Sequence, residues 1–244
     1  MHHKAIVAIA LCSSFVWAGD NTTYTVDQME YEGYWAPVEG DAPLVLLVHD
    51  WDGLTDYEKQ RAKMLNDLGY SVFAADLFGK GVRPTAVEDK RQHTGELYKD
   101  REKLRALMQG SLDFAVSLGG DKDNVVVMGY CFGGAAVLES ARAGMKANGF
   151  ATFHGGLGTP DGQTYQQVTA PILVLHGTAD SAIPMTQFAD LAERLETAGV
   201  DHEMITYSGA PHAFTVFGSD RYREVADNKS WSAFNQFLEQ TLSR

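Results

Sequence analysis

Short runs that suit β-strands recur along the chain, and the nearly continuous apolar run at residues 43–49 predicts a strand buried on both faces of a sheet. These runs are residues 43–49, 70–76, 124–130, 149–154, 171–177 and 202–209. Before them, residues 23–38 alternate between apolar and polar positions, which predicts an antiparallel hairpin turning near Asp27 or Gly33. The pattern therefore predicts a sheet at the centre of the fold.

Apolar residues recur at helical spacing between the predicted strands. Residues 104–118 keep an apolar stripe on one face, and shorter stripes occupy residues 57–68, 188–195 and 231–238. We interpret these stripes as faces that pack on the sheet rather than as cofactor sites. Strands that alternate with helices predict an α/β fold with a mostly parallel central sheet and helices on both of its faces.

Length and composition add limits on organisation and partners. The chain has 244 residues, 45% of them hydrophobic and 21% charged, and it contains no internal repeat or Pro/Gly-rich linker. One α/β domain accounts for that length. The net charge of −12 argues against nucleic acid or an anionic membrane as the main partner.

Residues 1–18 have the pattern of a cleavable signal peptide. Lys4 gives a basic start, the apolar run that follows is too short to span a bilayer, and small residues precede a cut after Ala18. A lipoprotein signal at Cys12 fits less well, and an ordinary buried N-terminal segment is the alternative. We predict a periplasmic or secreted protein with a mature domain of residues 19–244 and no stable membrane insertion.

Cys131 stands in a pattern typical of a nucleophile at a sharp turn. An apolar strand runs into Gly129-Tyr130-Cys131-Phe132-Gly133, and a helical stretch follows. The flanking glycines allow neighbouring backbone to pass closely, and the turn projects the central side chain above the sheet. The helix N-terminus is expected to favour the thiolate and lower the thiol pKa. After signal removal, Cys131 has no other cysteine to pair with.

Asp180 and His212 are the candidate partners of this thiol. Each follows a predicted strand end, and the order nucleophile, acid, histidine is the one that accompanies such a turn. Taken alone, Asp180 reads as a loop carboxylate and His212 as a surface histidine. Together with Cys131 they predict a catalytic triad. The backbone N–H groups of Phe132 and Trp51 are the candidate donors of an oxyanion hole.

The other histidines at strand ends carry weaker hypotheses. We consider His154 a candidate wall of the pocket and His176 a structural residue. No pair of histidines has the helical spacing of a zinc site, so no metal is expected.

The segments HDWDGLTDY, ADLFGKG, GYCFGG, HGTAD and PHAF occur in this order, and with them the chain resembles the dienelactone hydrolase family of α/β-hydrolases. The resemblance extends from about Gly33 to the C-terminus. It implies the α/β-hydrolase fold, with Cys131 as nucleophile, Asp180 as the residue that orients the base and His212 as the base.

The resemblance also implies roles for three further positions. Asp50 stands where the family usually has a glutamate that holds the resting thiol. Lys80 and Val216 stand where family members that cleave dienelactone have two arginines that bind the substrate carboxylate. A lysine is a point charge and not a planar fork, so carboxylate binding is expected to be weakened.

We therefore predict an ester or lactone hydrolase that works through a Cys-His-Asp triad and a thioester intermediate, without a cofactor. The alternatives are an inactive exported binding protein on the same fold, a thioesterase or small peptidase, and a thiol-redox protein. The last lacks a C-x-x-C pair. A monomer is favoured, and the polar segment 80–98 is long enough to form a lid.

Overall fold

The computed structural model describes residues 19–243, so the predicted signal peptide lies outside the described residues. Eight strands form one sheet: β1 (Asp20–Val26), β2 (Met29–Ala36), β3 (Leu44–Val48), β4 (Ser71–Ala75), β5 (Val125–Tyr130), β6 (Gly149–Phe153), β7 (Ile172–Gly177) and β8 (His202–Tyr207). Their order across the sheet is β1-β2-β4-β3-β5-β6-β7-β8. The pairs β1–β2 and β2–β4 are antiparallel and the others are parallel, which confirms the predicted mostly parallel sheet.

Within residues 19–243, six helices cover the sheet: α1 (Asp56–Asn66), α2 (Val87–Lys99), α3 (Arg101–Ser117), α4 (Phe132–Arg142), α5 (Met185–Ala198) and α6 (Glu224–Thr241). Helices α2 to α5 contribute buried side chains to the core on one face of the sheet. Helices α1 and α6 contribute to the core on the other face. Helices therefore lie on both faces, as predicted.

The apolar pattern locates most elements correctly. Each of the six predicted runs contains one of the strands β3 to β8. Strands β3 to β7 are buried on both faces and need apolar side chains at successive positions, whereas β8 lies at the edge of the sheet and is partly exposed. The hairpin turns at Asp27 and Gln28, both with positive φ, whereas Gly33 lies inside β2. Helix α2 falls in the segment 80–98, where no apolar stripe predicts a helix, and buries only Thr94 and Leu97.

The topology brings the candidate residues to one edge of the sheet. Parallel strands present their carboxyl ends at the same edge, and ligands bind there in open α/β sheets. Cys131 follows β5, Asp180 lies shortly after β7, and His212 lies after β8. None of the helices within residues 19–243 combines the length and apolar character required to cross a membrane.

Candidate active site

The turn at Cys131 is held in a strained conformation by close backbone packing. Cys131 links β5 to α4 with φ 51° and ψ −112°, a combination that a residue with a side chain rarely adopts. A Cβ atom on Gly129 would collide with the backbone of Gly133. A Cβ atom on Gly133 would lie 2.5 Å from the carbonyl oxygen of His49. Both flanking positions therefore require glycine, and the thiol is placed at the start of α4.

Cys131, His212 and Asp180 are in continuous contact. Nε2 of His212 lies 3.1 Å from Sγ of Cys131, and Nδ1 of His212 lies 2.8 Å from Oδ2 of Asp180. The other oxygen of Asp180 accepts hydrogen bonds from the backbone N–H groups of Ala182 and Ile183, at 2.9 and 2.8 Å. The structure thus joins the three residues that the sequence singles out.

These contacts fix the protonation of the imidazole. Burial opposes ionisation of Asp180, but hydrogen bonding and charge from His212 outweigh it and hold the Asp180 pKa below its ordinary value. An ionised carboxylate only accepts hydrogen bonds, so Nδ1 of His212 carries the proton and donates to it. Nε2 is then free to accept a proton from the thiol of Cys131.

The thiol itself is less acidic than the sequence suggests. Burial and the negative charge of Asp50 raise the pKa of the Cys131 thiol, and a hydrogen bond from the backbone N–H of Phe132 opposes them only in part. The expectation that the helix N-terminus lowers this pKa is therefore wrong, because desolvation of the thiolate is the larger effect. This direction favours a neutral resting thiol, whose proton leaves as the sulfur attacks.

Asp50 belongs to a group of three carboxyl groups beside the thiol. Oxygens of Asp50, Asp52 and Glu58 lie within 4.8 Å of one another. Burial together with Asp52 raises the Asp50 pKa well above its ordinary value, and burial raises that of Glu58 to about 7. Lys90 lies 3.3 Å from Asp52.

Oxygens of this kind can hold a hard cation, but this group also has internal partners. One Glu58 oxygen accepts from the backbone N–H and hydroxyl of Thr55, both at 2.8 Å, in the N-cap of α1. Because Glu58 is hydrogen-bonded in the N-cap of α1, its burial does not require a bound metal ion. The absence of a metal in the reaction stays a prediction.

Replacing Asp50 with asparagine is expected to make the thiol more acidic. Asparagine carries no charge at any pH, so above the raised pKa of Asp50 the thiolate loses an unfavourable neighbour and the pH at which iodoacetamide alkylation of Cys131 accelerates should fall. A decrease of one pKa unit raises the alkylation rate about tenfold at a pH below both pKa values. Asp67→Asn, a change on the exposed end of α1, is the matched control and should leave the profile unchanged. An unchanged or slower rate in Asp50→Asn would contradict this electrostatic account.

A cleft of about 320 Å³ opens above the thiol, and Cys131 and His212 both line it. Most of its other walls are aromatic or aliphatic, formed by Trp51, Phe132 and Ile183 among others. The cleft thus suits an apolar acyl or alcohol group. Phe132 begins α4 and Trp51 follows β3, so the two candidate oxyanion donors border the same space as the sulfur.

Two arginines at this cleft were missed by the sequence analysis. Arg91 projects from α2, and Arg221 lies on the connection between β8 and α6. Both are exposed, and neither side chain has an ion pair or hydrogen bond within residues 19–243. Their distance from Cys131 in the sequence concealed them, although Arg91 lies in the segment considered a candidate lid.

The remaining candidate residues lie outside the cleft lining. Lys80 is exposed and pairs with Glu30 at 3.3 Å, and Val216 is half-buried. His154 is completely buried and contacts the His212 ring, with centroids 5.4 Å apart, so it does not form the predicted wall of the pocket. Of the segment 80–98, helix α2 contributes one side of the cleft.

Comparison with known proteins agrees with the family resemblance of the sequence motifs. The model of the dienelactone hydrolase family matches residues 31–242. A protein of Escherichia coli K12 assigned as a carboxymethylenebutenolidase is 24% identical over 214 residues, which cover 83% of this chain and 78% of the relative. A Bradyrhizobium protein assigned as a 2-oxo-3-(5-oxofuran-2-ylidene)propanoate lactonase is 26% identical over 204 residues, covering 80% of this chain and 82% of the relative.

Solved structures are similar over nearly the whole described chain. The dienelactone hydrolase-like promiscuous phosphotriesterase P91, from metagenomic libraries, superposes with a TM-score of 0.83 at 28% identity. The alignment covers 92% of this chain and 98% of that protein. A structure named m3DLH has a TM-score of 0.84, with the same identity and coverage.

Proposed function

The chain belongs to the dienelactone hydrolase family and is an ester or lactone hydrolase, and we propose that Cys131 is its nucleophile, His212 its general base and Asp180 the residue that orients the base. The observation that carries these roles is the continuous contact from Asp180 through His212 to Sγ of Cys131. The strained turn at Cys131 and its position at a cleft support the same assignment.

The first half of the reaction forms a thioester. Sγ of Cys131 attacks the carbonyl carbon of the ester or lactone as Nε2 of His212 takes the thiol proton. The carbonyl oxygen becomes an oxyanion, which the backbone N–H groups of Phe132 and Trp51 stabilise. The tetrahedral intermediate then collapses, the C–O bond breaks, and His212 returns the proton to the departing alcohol oxygen.

The second half releases the acid. His212 takes a proton from a water molecule, and the resulting hydroxide attacks the thioester carbonyl carbon. Collapse of this intermediate breaks the C–S bond, and the proton held by His212 restores the thiol. The products are a carboxylic acid and an alcohol, joined in one molecule when the substrate is a lactone. Every proton is moved by side chains of the chain, and no cofactor takes part.

The cleft favours substrates with a negative charge. Among the described residues, Arg91 and Arg221 have no side-chain partner, and in a protein of net charge −12 two such guanidinium groups at one cleft are well placed to bind a substrate carboxylate. Lys80 already pairs with Glu30 on the surface. We therefore assign carboxylate binding to positions other than those implied by the family resemblance.

Removing either arginine is expected to weaken binding of an anionic substrate selectively. Arg91→Ala or Arg221→Ala should raise the KM for a carboxylate-bearing ester about tenfold, since a hydrogen bond to a charged group contributes about 1.5–3 kcal/mol. Hydrolysis of p-nitrophenyl acetate should not change. Lys80→Ala is the matched control. Equal KM values for charged and neutral esters in the wild type would contradict the assignment.

Titration with iodoacetamide tests the enzyme assignment against an inactive binding protein on the same fold. At mildly alkaline pH, alkylation of Cys131 should abolish ester hydrolysis with one reagent bound per chain, and excess substrate should slow the alkylation. Full activity after complete alkylation would refute a role for the thiol. Comparison of oxygen esters with thioesters and peptides then distinguishes an esterase or lactonase from a thioesterase or peptidase.

A further inference from the structure

A chain of polar side chains runs through the interior behind the catalytic base. Nε2 of His154 lies 2.8 Å from Oγ1 of Thr215, and the hydroxyl of Tyr57 lies 2.6 Å from the same Oγ1. His154 and Thr215 have no exposed surface. Buried polar groups carry a free-energy cost unless they are hydrogen-bonded, and here the Thr215 hydroxyl is bonded to both of its neighbours, whereas Nδ1 of His154 has no hydrogen-bond partner within residues 19–243.

This polar chain is in contact with the imidazole that faces the thiol. The rings of His154 and His212 meet nearly at right angles, with centroids 5.4 Å apart and 67° between their planes. His154 has φ 40°, which is unusual for a residue with a side chain. Its backbone N–H donates to the carbonyl oxygen of Leu175 at 2.8 Å. Backbone strain of this kind persists where surrounding structure holds one side chain in a required place.

The loop that carries His212 is anchored at Thr215 by α1, whose Arg61 is in turn paired with α6. Arg61 on α1 donates from Nη2 to the carbonyl oxygen of Thr215 at 2.7 Å and to Oδ1 of Asp227 on α6 at 2.5 Å. The Arg61 guanidinium also lies over the ring of Phe217, 4.1 Å from its centroid. Thr215 is therefore fixed through both its carbonyl oxygen and its hydroxyl, three residues after the base.

The charge state of His154 is also compatible with a protonated His212 beside it. Burial, followed by the neighbouring His212 and Arg61, holds the His154 pKa well below its ordinary value, so the ring is neutral. A neutral ring does not repel the positive charge that His212 acquires when it takes the thiol proton. A positively charged residue in its place would oppose that step.

We propose that Tyr57, Thr215 and His154 are positioning residues that keep the His212 imidazole in line with Sγ of Cys131. The proposal rests on the proposed function, because it assigns these residues to the work of the same base. None of them lines the cleft, so their loss alters the chemical step and not substrate binding.

Thr215→Val tests this role because it removes the hydroxyl and keeps the branched shape. It should lower kcat for p-nitrophenyl acetate about tenfold with KM unchanged, since small displacements of a catalytic group are costly. Thr215→Ser should restore most of the rate. Ser140→Ala removes another buried hydroxyl, one that bonds only within α4, and is the matched control: it should leave kcat unchanged. A wild-type kcat in Thr215→Val, or an equal loss in Ser140→Ala, would overturn the proposal.

Tyr57→Phe provides a second variant and a test of coupling. If both hydroxyls act through the same series of hydrogen bonds, the double variant Tyr57→Phe/Thr215→Val should lose no more of the wild-type kcat than Thr215→Val alone. Losses that multiply would indicate independent structural effects and contradict the proposal.

The rate of Cys131 alkylation by iodoacetamide gives a readout without turnover, because it reports loss of the thiol proton to His212 and requires no ester substrate. The positioning role predicts slower alkylation in Thr215→Val than in the wild type. Equal alkylation rates would contradict it even if the wild type proved inactive on esters. Failure of the proposed function, in contrast, would appear as wild-type ester hydrolysis that persists after Cys131 is fully alkylated.

Discussion

Cys131→Ala is expected to reduce hydrolysis of p-nitrophenyl acetate to the level of the uncatalysed reaction. Without the sulfur there is no nucleophile within reach of His212 Nε2, which lies 3.1 Å from Sγ in the wild type. Loss of the nucleophile in a triad costs roughly 10⁴-fold or more in kcat. Cys131→Ser should keep a small activity, because a serine hydroxyl is a weaker nucleophile than a thiolate.

The variant requires a check that the turn survives. Residue 131 has positive φ, and alanine can occupy that conformation with no greater strain than cysteine, so the fold should be retained. Thermal unfolding of both variants should therefore stay close to that of the wild type. Full esterase activity in a folded Cys131→Ala protein would contradict the assignment of the nucleophile.

Changes at His212 and Asp180 are expected to produce the second largest losses. His212→Ala removes the group that takes and returns the proton in both halves of the reaction, so kcat should fall about 10³-fold or more. Asp180→Asn keeps an oxygen that can accept from Ala182 and Ile183 but presents an amide N–H₂ to Nδ1. That amide favours the imidazole tautomer with its proton on Nε2, which cannot accept the thiol proton.

Steady-state kinetics with both variants measure these losses. The expected pattern is a large decrease in kcat with a small change in KM, because neither residue is needed to bind a neutral ester. Asp190→Asn, which changes an exposed aspartate paired with Arg194 on α5, serves as the control for loss of a carboxylate. Activity in Asp180→Asn comparable with the control would remove Asp180 from the mechanism.

The fold could be predicted from the sequence because burial of a strand requires a recognisable pattern of apolar residues. A strand covered on both faces needs apolar side chains at every position, and β3 to β7 consist almost entirely of buried residues. The contact of Cys131, Asp180 and His212 was predictable for a related reason. Each follows the carboxyl end of a strand, and a parallel sheet brings those ends together.

Other parts of the site depend on tertiary geometry that no local pattern records. Arg91 and Arg221 meet at the cleft only because α2 and the connection after β8 fold over the same strand ends. Burial of the Cys131 thiol outweighs the helix N-terminus, so its pKa rises where the local motif predicted a decrease. The bond between His154 and Thr215 joins residues 61 positions apart, and neither belongs to a motif that predicts it.

Trapping the thioester tests the central claim most directly. The bulky acyl group of p-nitrophenyl trimethylacetate slows the second half of the reaction, so the acyl-enzyme should accumulate. Peptide mass spectrometry after acid quench should find one trimethylacetyl group per chain, on the peptide that contains Cys131, together with an equivalent burst of p-nitrophenol. Acylation of another side chain, or release of p-nitrophenol with no covalent adduct, would contradict Cys131 as the nucleophile.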